Sequence, residues 1–96
     1  MATLWIREYG GVARSGSLQI AMEPGVDQSP VTFSTSTQSA AFGAGKTYIA
    51  IIASAAFHYV VGSNPTATTS ALKVPADTLV FVGVTPGHKI AAIAAA

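Results

Sequence analysis

The stretch of this chain that comes nearest to chemistry is AAFGAGKT, residues 40–47. With alanine accepted in place of the first glycine it fits a phosphate-binding loop, in which backbone amides cradle phosphates and a lysine, here Lys46, neutralises their charge. Such a loop joins a strand to a helix, but the residues that follow Lys46 are Tyr48, Ile49, Ala50, Ile51 and Ile52, which favour a strand. It also needs an acidic magnesium ligand at the end of a later apolar strand. Asp77 precedes its strand instead, and Asp27 lies before the loop. The motif is therefore expected to be a Gly/Ala turn entering a strand, with no cofactor. His58 and His88 stand 30 residues apart, and neither belongs to the closely spaced patterns that hold zinc, so no metal site is expected. His58 is expected to be a packed or interface residue on a strand, and His88 a solvated turn residue. Serine and threonine are plentiful, yet no Gly-x-Ser-x-Gly elbow occurs, and the four acids form no pair suited to acid/base work. No catalytic residue is assigned. Without cysteine, disulfides and cysteine-ligated metal are excluded.

What would have to position any of these residues is a set of strands. The chain is organised around residues 46–69, KTYIAIIASAAFHYVVGSNPTATT, two long apolar strands joined at Ser54 and closed by a polar loop. Tyr48, Ala50 and Ile52 alternate with Ile49, Ile51 and Ala53. Phe57, Tyr59 and Val61 alternate with Ala56, His58 and Val60. Both faces are largely apolar, the pattern of strands covered on both sides. A helix is the competing reading, because no proline interrupts the run; β-branched and aromatic content, and the punctuation of Gly62, Asn64 and Pro65, favour strands. Further strands are expected over residues 17–22, 31–34, 71–74, 78–84 and 89–93. The first eight residues, where Leu4 and Ile6 alternate with Trp5 and Arg7, are stopped by Gly10 and Gly11. Residues 1–11 are thus expected to form an N-terminal arm or an edge strand. Pro24-Gly25 suits a type II turn and Pro86-Gly87 another tight turn. Seven or eight short strands with turn signals between them predict an all-β fold, a sandwich or barrel, as a single domain over residues 1–96.

Half of the residues are hydrophobic, only 9% are charged, and the net charge is +1. Globular chains carry about a quarter charged residues, so this surface must be made largely of Ser, Thr, Ala, Gly and Gln. Such a surface resists association poorly. A homodimer or homotrimer is therefore expected, with Trp5 and Tyr9 as candidate interface residues. Five basic residues balanced by four acids make no stripe for nucleic acid. Arg7 and Glu8 stand where a secretory leader needs an apolar core, and the longest apolar run, residues 48–61, falls short of the roughly 20 residues of a membrane-spanning helix. Neither nucleic acid nor membrane is an expected partner. A carbohydrate-stacking platform would need two or three exposed aromatics on one face, and Tyr48 and Tyr59, on strands expected to be adjacent, come closest.

Several segments are familiar together. Gln38-Ser39-Ala40-Ala41-Phe42, Thr47-Tyr48-Ile49, His58-Tyr59 with Gly62 and Asn64-Pro65-Thr66-Ala67-Thr68, Val74-Pro75-Ala76, and Pro86-Gly87 with Lys89-Ile90-Ala91 resemble a pattern in small virion proteins of tailed bacteriophages. Those of comparable size are capsid decoration, or cement, proteins. The resemblance covers residues 36–92. It implies an antiparallel, jelly-roll-like β-sandwich and a structural virion protein without catalytic residues. This would be a homo-oligomeric subunit, assembled in the host cytoplasm, that sits on the capsid exterior and bridges neighbouring major capsid proteins. A tail or head-fibre subunit is the alternative within that class. A small ligand- or carbohydrate-binding β module is the alternative outside it.

Overall fold

Alternation of inward and outward residues builds eleven strands in the described part of the chain, residues 2–15, 18–21 and 23–95 of a computed structural model. In order they are β1 (Ala2–Tyr9), β2 (Val12–Ser15), β3 (Leu18–Ala21), β4 (Val26–Asp27), β5 (Val31–Phe33), β6 (Thr37–Gln38), β7 (Tyr48–Ala53), β8 (Phe57–Gly62), β9 (Leu72–Val74), β10 (Val80–Gly83) and β11 (Lys89–Ala94). One sheet has the order β10-β7-β1, with β4 and β5 both pairing to the remaining edge of β1; the other has the order β6-β11-β8-β9. A hairpin of β2 and β3 pairs only with itself. Every pairing is antiparallel. The expected all-β antiparallel sandwich is the fold. It holds three strands outside the segments expected: β4 and β6 are two residues long, too short to have a period to detect, and β2 (Val12–Ser15) pairs with its hairpin neighbour β3.

Two expectations about connectivity are corrected. The strands on either side of Ser54 are not partners: β7 joins β1 and β10, whereas β8 joins β9 and β11. At residues 54–56 the chain leaves one sheet for the other, so the two long apolar strands face each other across the core. Nor is β1 an arm or an edge. It lies inside its sheet, with β7 along one side and β4 and β5 along the other. Leu4 and Ile6, 1% and 3% exposed, supply the reason, since an arm would leave both in water.

The core lies between the sheets. Leu4, Ile6, Ile49, Ile51 and Phe33 come from the first, and Phe57, Val74, Ile90 and Ala92 from the second. Phe33 and Phe57 meet edge to face across the gap, 6.0 Å between ring centroids. Removing the side chain of the fully buried Ile51 leaves a cavity that the facing sheet cannot close. Ile51→Ala is therefore expected to cost roughly 2 to 5 kcal/mol of unfolding free energy. Denaturant titration measures it, and a midpoint equal to that of the parent would place Ile51 outside the core.

Candidate interaction surface

The loop that imitates a phosphate site connects β6 to β7, strand to strand. Lys46 N–H donates to the Gly43 carbonyl at 3.2 Å, and Gly45 sits between them at φ +75, so the centre of the motif is a β-turn. Three of its other amides already have protein acceptors. Phe42 donates to the His88 carbonyl, Thr47 to the Tyr9 carbonyl, and Gly43 to the carboxylate of Glu8 at 2.7 Å. Glu8 is buried in β1, so a carboxyl group of the protein itself takes the Gly43 amide of the motif. His58, on β8, is 8% exposed, and its Nδ1 lies 2.8 Å from the Ala71 carbonyl; a carbonyl only accepts, so Nδ1 is the protonated nitrogen. His88 follows the Pro86-Gly87 turn, closed by its own N–H to the Thr85 carbonyl. Among the described residues no three His, Asp or Glu side chains cluster as a metal site would require.

The outer faces of the two sheets differ. Residues 63–71 fold across the four-stranded sheet. Gln38 Nε2 donates to Asn64 Oδ1 and the Pro65 carbonyl, Ser36 Oγ accepts from Ala67 N–H, and His58 holds the Ala71 carbonyl. Beneath that loop Ala91 is fully buried. Among the described residues the five-stranded sheet has no such covering. Register places Trp5 beside Ile52 and Arg7 beside Ala50, and Ala50 beside Phe81, while Asp27 flanks Arg7 on the other side. The small Ala50 between the longer Arg7 and Phe81 leaves a depression. Trp5, Ile52, Leu79 and Phe81 surround it with apolar surface, and the groove encloses about 560 Å³. Trp5 is 46% exposed and Phe81 56%. The expectation that both faces of β7 are covered is thus corrected for its outer face.

One end of the groove is polar. Arg7 Nε donates to Asp27 Oδ1 at 2.6 Å, Arg7 Nη2 to Asp27 Oδ2 at 3.1 Å, and Arg7 Nη1 to Glu23 Oε2 at 3.2 Å. Tyr9 Oη donates to the same Glu23 oxygen, and the ring of Tyr9 stacks on Tyr48 at 5.2 Å. These contacts bind residues 23–25 down over β1. Gly25 does not have the positive φ that the expected type II turn requires. What it supplies is room, since a Cβ there would lie 2.7 Å from Arg7 Cγ and 2.9 Å from Tyr9 Cε1. Of the two candidate interface residues, Trp5 stands free, whereas Tyr9 is 6% exposed and occupied by Tyr48 and Glu23. Tyr48 and Tyr59 form no joint platform, because they belong to different sheets. The exposed aromatics on one face are instead Trp5 and Phe81, with Tyr48 tilted against Phe81 at 6.4 Å between ring centroids. Sequence alternation put Trp5 on an outer face but could not reveal that β1 and β10 flank the same strand.

Hydrogen bonds from Arg7 hold the Asp27 carboxyl below its ordinary value. The Gly25 N–H, then the Tyr9 hydroxyl and Arg7, do the same for Glu23. Burial, and then the hydrogen bond to Glu23, push the Tyr9 hydroxyl up. No family model, curated protein or solved structure matches this chain.

Two outcomes are expected. Lys46→Ala leaves the melting temperature nearly unchanged, and calorimetric titration of either protein with ATP gives no binding; micromolar affinity lost on substitution would restore the phosphate site. Because the folded pKa values of Glu23 and Asp27 lie below their unfolded ones, their contribution is complete above about pH 5 and is lost as pH falls through the lowered values. The Arg7 Nε–H and Gly25 N–H resonances should accordingly hold their positions down to that range and shift below it. A shift centred near neutral pH would assign the effect to another group.

Proposed function

We propose that this protein is a structural virion subunit, a capsid decoration protein that attaches to the outside of a phage head and bridges neighbouring major capsid proteins. The observation that carries the reading is the bare apolar face around Trp5, Ile52, Leu79 and Phe81 on a domain with only 9% charged residues. A half-exposed tryptophan beside a depression is the kind of anchor that dominates binding energy, since one rigid side chain removes a large area from water. Attachment in this reading is burial of that face across the joint between shell subunits, with no chemical step. The strand order agrees with the jelly-roll part of the proposal. With β4 set aside, and counted from β5 and ending on β1, the two sheets run 1-8-3-6 and 2-7-4-5, an order that supports a jelly roll in which β1 takes the place of the last strand. Jelly rolls serve capsids and lectins alike, so the face supports the function and the fold does not.

A second reading, a small ligand- or carbohydrate-binding module, is favoured by the groove itself. About 560 Å³ lies within the range of small-molecule sites, and Arg7, Asp27 and Gln28 supply polar groups next to Trp5 and Phe81. Copy number separates the two. Purified particles of the source phage are expected to carry the protein in hundreds of copies, and Trp5→Ala to weaken attachment while changing the melting temperature of the isolated protein by little. Particles with few or no copies, or a mutant that decorates fully, would remove the decoration reading. Sugar binding lost on Trp5→Ala would install the other.

A further inference from the structure

A two-sheet sandwich has four open edges, and three of these are blunted. Along one side of the first sheet, β4 and β5 are interrupted by residues 28–30, which include Pro30, and β4 carries Asp27 within the Arg7 network. The edge β6 is two residues long. The edge β9 is three residues long, carries Lys73 and is followed by Pro75. Short length, charge and proline are the devices that keep sheet edges from pairing. The fourth edge, β10, reads Val80-Phe81-Val82-Gly83 and has none of them apart from modest length. Val84 N–H donates to the Thr47 carbonyl of the β7 line. By alternation this turns the main-chain groups of Val80 and Val82 toward β7 and those of Phe81 and Gly83 outward. On the flank formed by β9 and β10 stand Leu72, Leu79 and Phe81, 66%, 56% and 56% exposed. They are three of the five exposed large apolar side chains among the described residues, so exposed apolar surface concentrates where the main chain is also unpaired.

We propose that β10 pairs antiparallel with β10 of a second copy of this chain, joining two five-stranded sheets into one continuous sheet across a two-fold axis. Main-chain hydrogen bonds from Phe81 and Gly83 give the contact its direction, and Leu79 and Phe81 of the two copies cover one another. A second copy fits better than a foreign strand because an isologous contact needs only a patch that complements itself. An uncharged antiparallel edge does, whereas a charged one would place like charges opposite each other. The two-fold axis stands perpendicular to the sheet, so both Trp5 faces point the same way; Trp5 and Ile52 remain open, while Leu79 and Phe81 at the rim of the groove belong to the dimer contact. The dimer therefore goes beyond the virion reading and does not depend on it.

Sedimentation of the full chain at micromolar concentration tests this. The parent is expected as a dimer. Phe81→Pro, which removes an outward N–H and no bond to β7, and Phe81→Lys, which sets charge on the edge, are both expected as monomers with parent-like circular dichroism. Phe81→Lys keeps the test decisive if the proline variant fails to fold, because Phe81 is half exposed. Trp5→Ala is expected to remain a dimer. A monomeric parent, a trimer, a dimer that persists in folded Phe81→Lys, or one lost in Trp5→Ala would each overturn the edge pairing. None of these results bears on particle copy number, which tests the decoration reading separately.

Discussion

The corner at residues 54–56 is the constraint on which the sandwich depends. Ser54 N–H donates to the Thr3 carbonyl, and Ser54 Oγ accepts from Thr3 N–H at 2.9 Å, so one residue ties β7 to β1 through main chain and side chain together. The Ala56 carbonyl accepts from Ala95 N–H, and the Ala53 carbonyl from Asp77 N–H. Three separate parts of the chain are thus held at a single bend. Because that bend also carries the chain from one sheet to the other, Ile51 and Phe57 enter the same core from opposite sides.

Given the corner, the two sheets have different outer surfaces for a local reason. Residues 63–71 leave β8 and return to β9 within the same sheet. Gln38, Ser36 and His58 fix them across it. The connections that leave β7 and β10 cross to the opposite sheet instead, so none of them runs over Ala50 and Ile52. The chain's own path covers one face and leaves the other bare.

Charge follows the same division. Arg7, Glu23 and Asp27, three of only nine Asp, Glu, Lys and Arg residues in the chain, gather at one end of the bare face. Exposed ion pairs add little stability. Their effect here is placement: they hold residues 23–25 against β1 and close the groove at that end. The remainder of the face, and the β10 edge beside it, has almost no charge to oppose contact.

Much of the architecture was legible along the chain. Alternation in residues 48–53 and 57–62 marks β7 and β8, Pro86-Gly87 marks a turn whose glycine has φ +86, and the residues after Lys46 already argued against a nucleotide loop. These are local properties, since side-chain period and turn chemistry are set by neighbours in sequence. The interior position of β1, the separation of β7 from β8, the hydrogen bond from the 40–47 loop to Glu8 and the meeting of Trp5 with Phe81 were not legible. Each depends on which strands pair. Alternation states that a residue faces in or out, but it carries no term for the partner across the sheet, and that choice is made only when distant strands compete for one core.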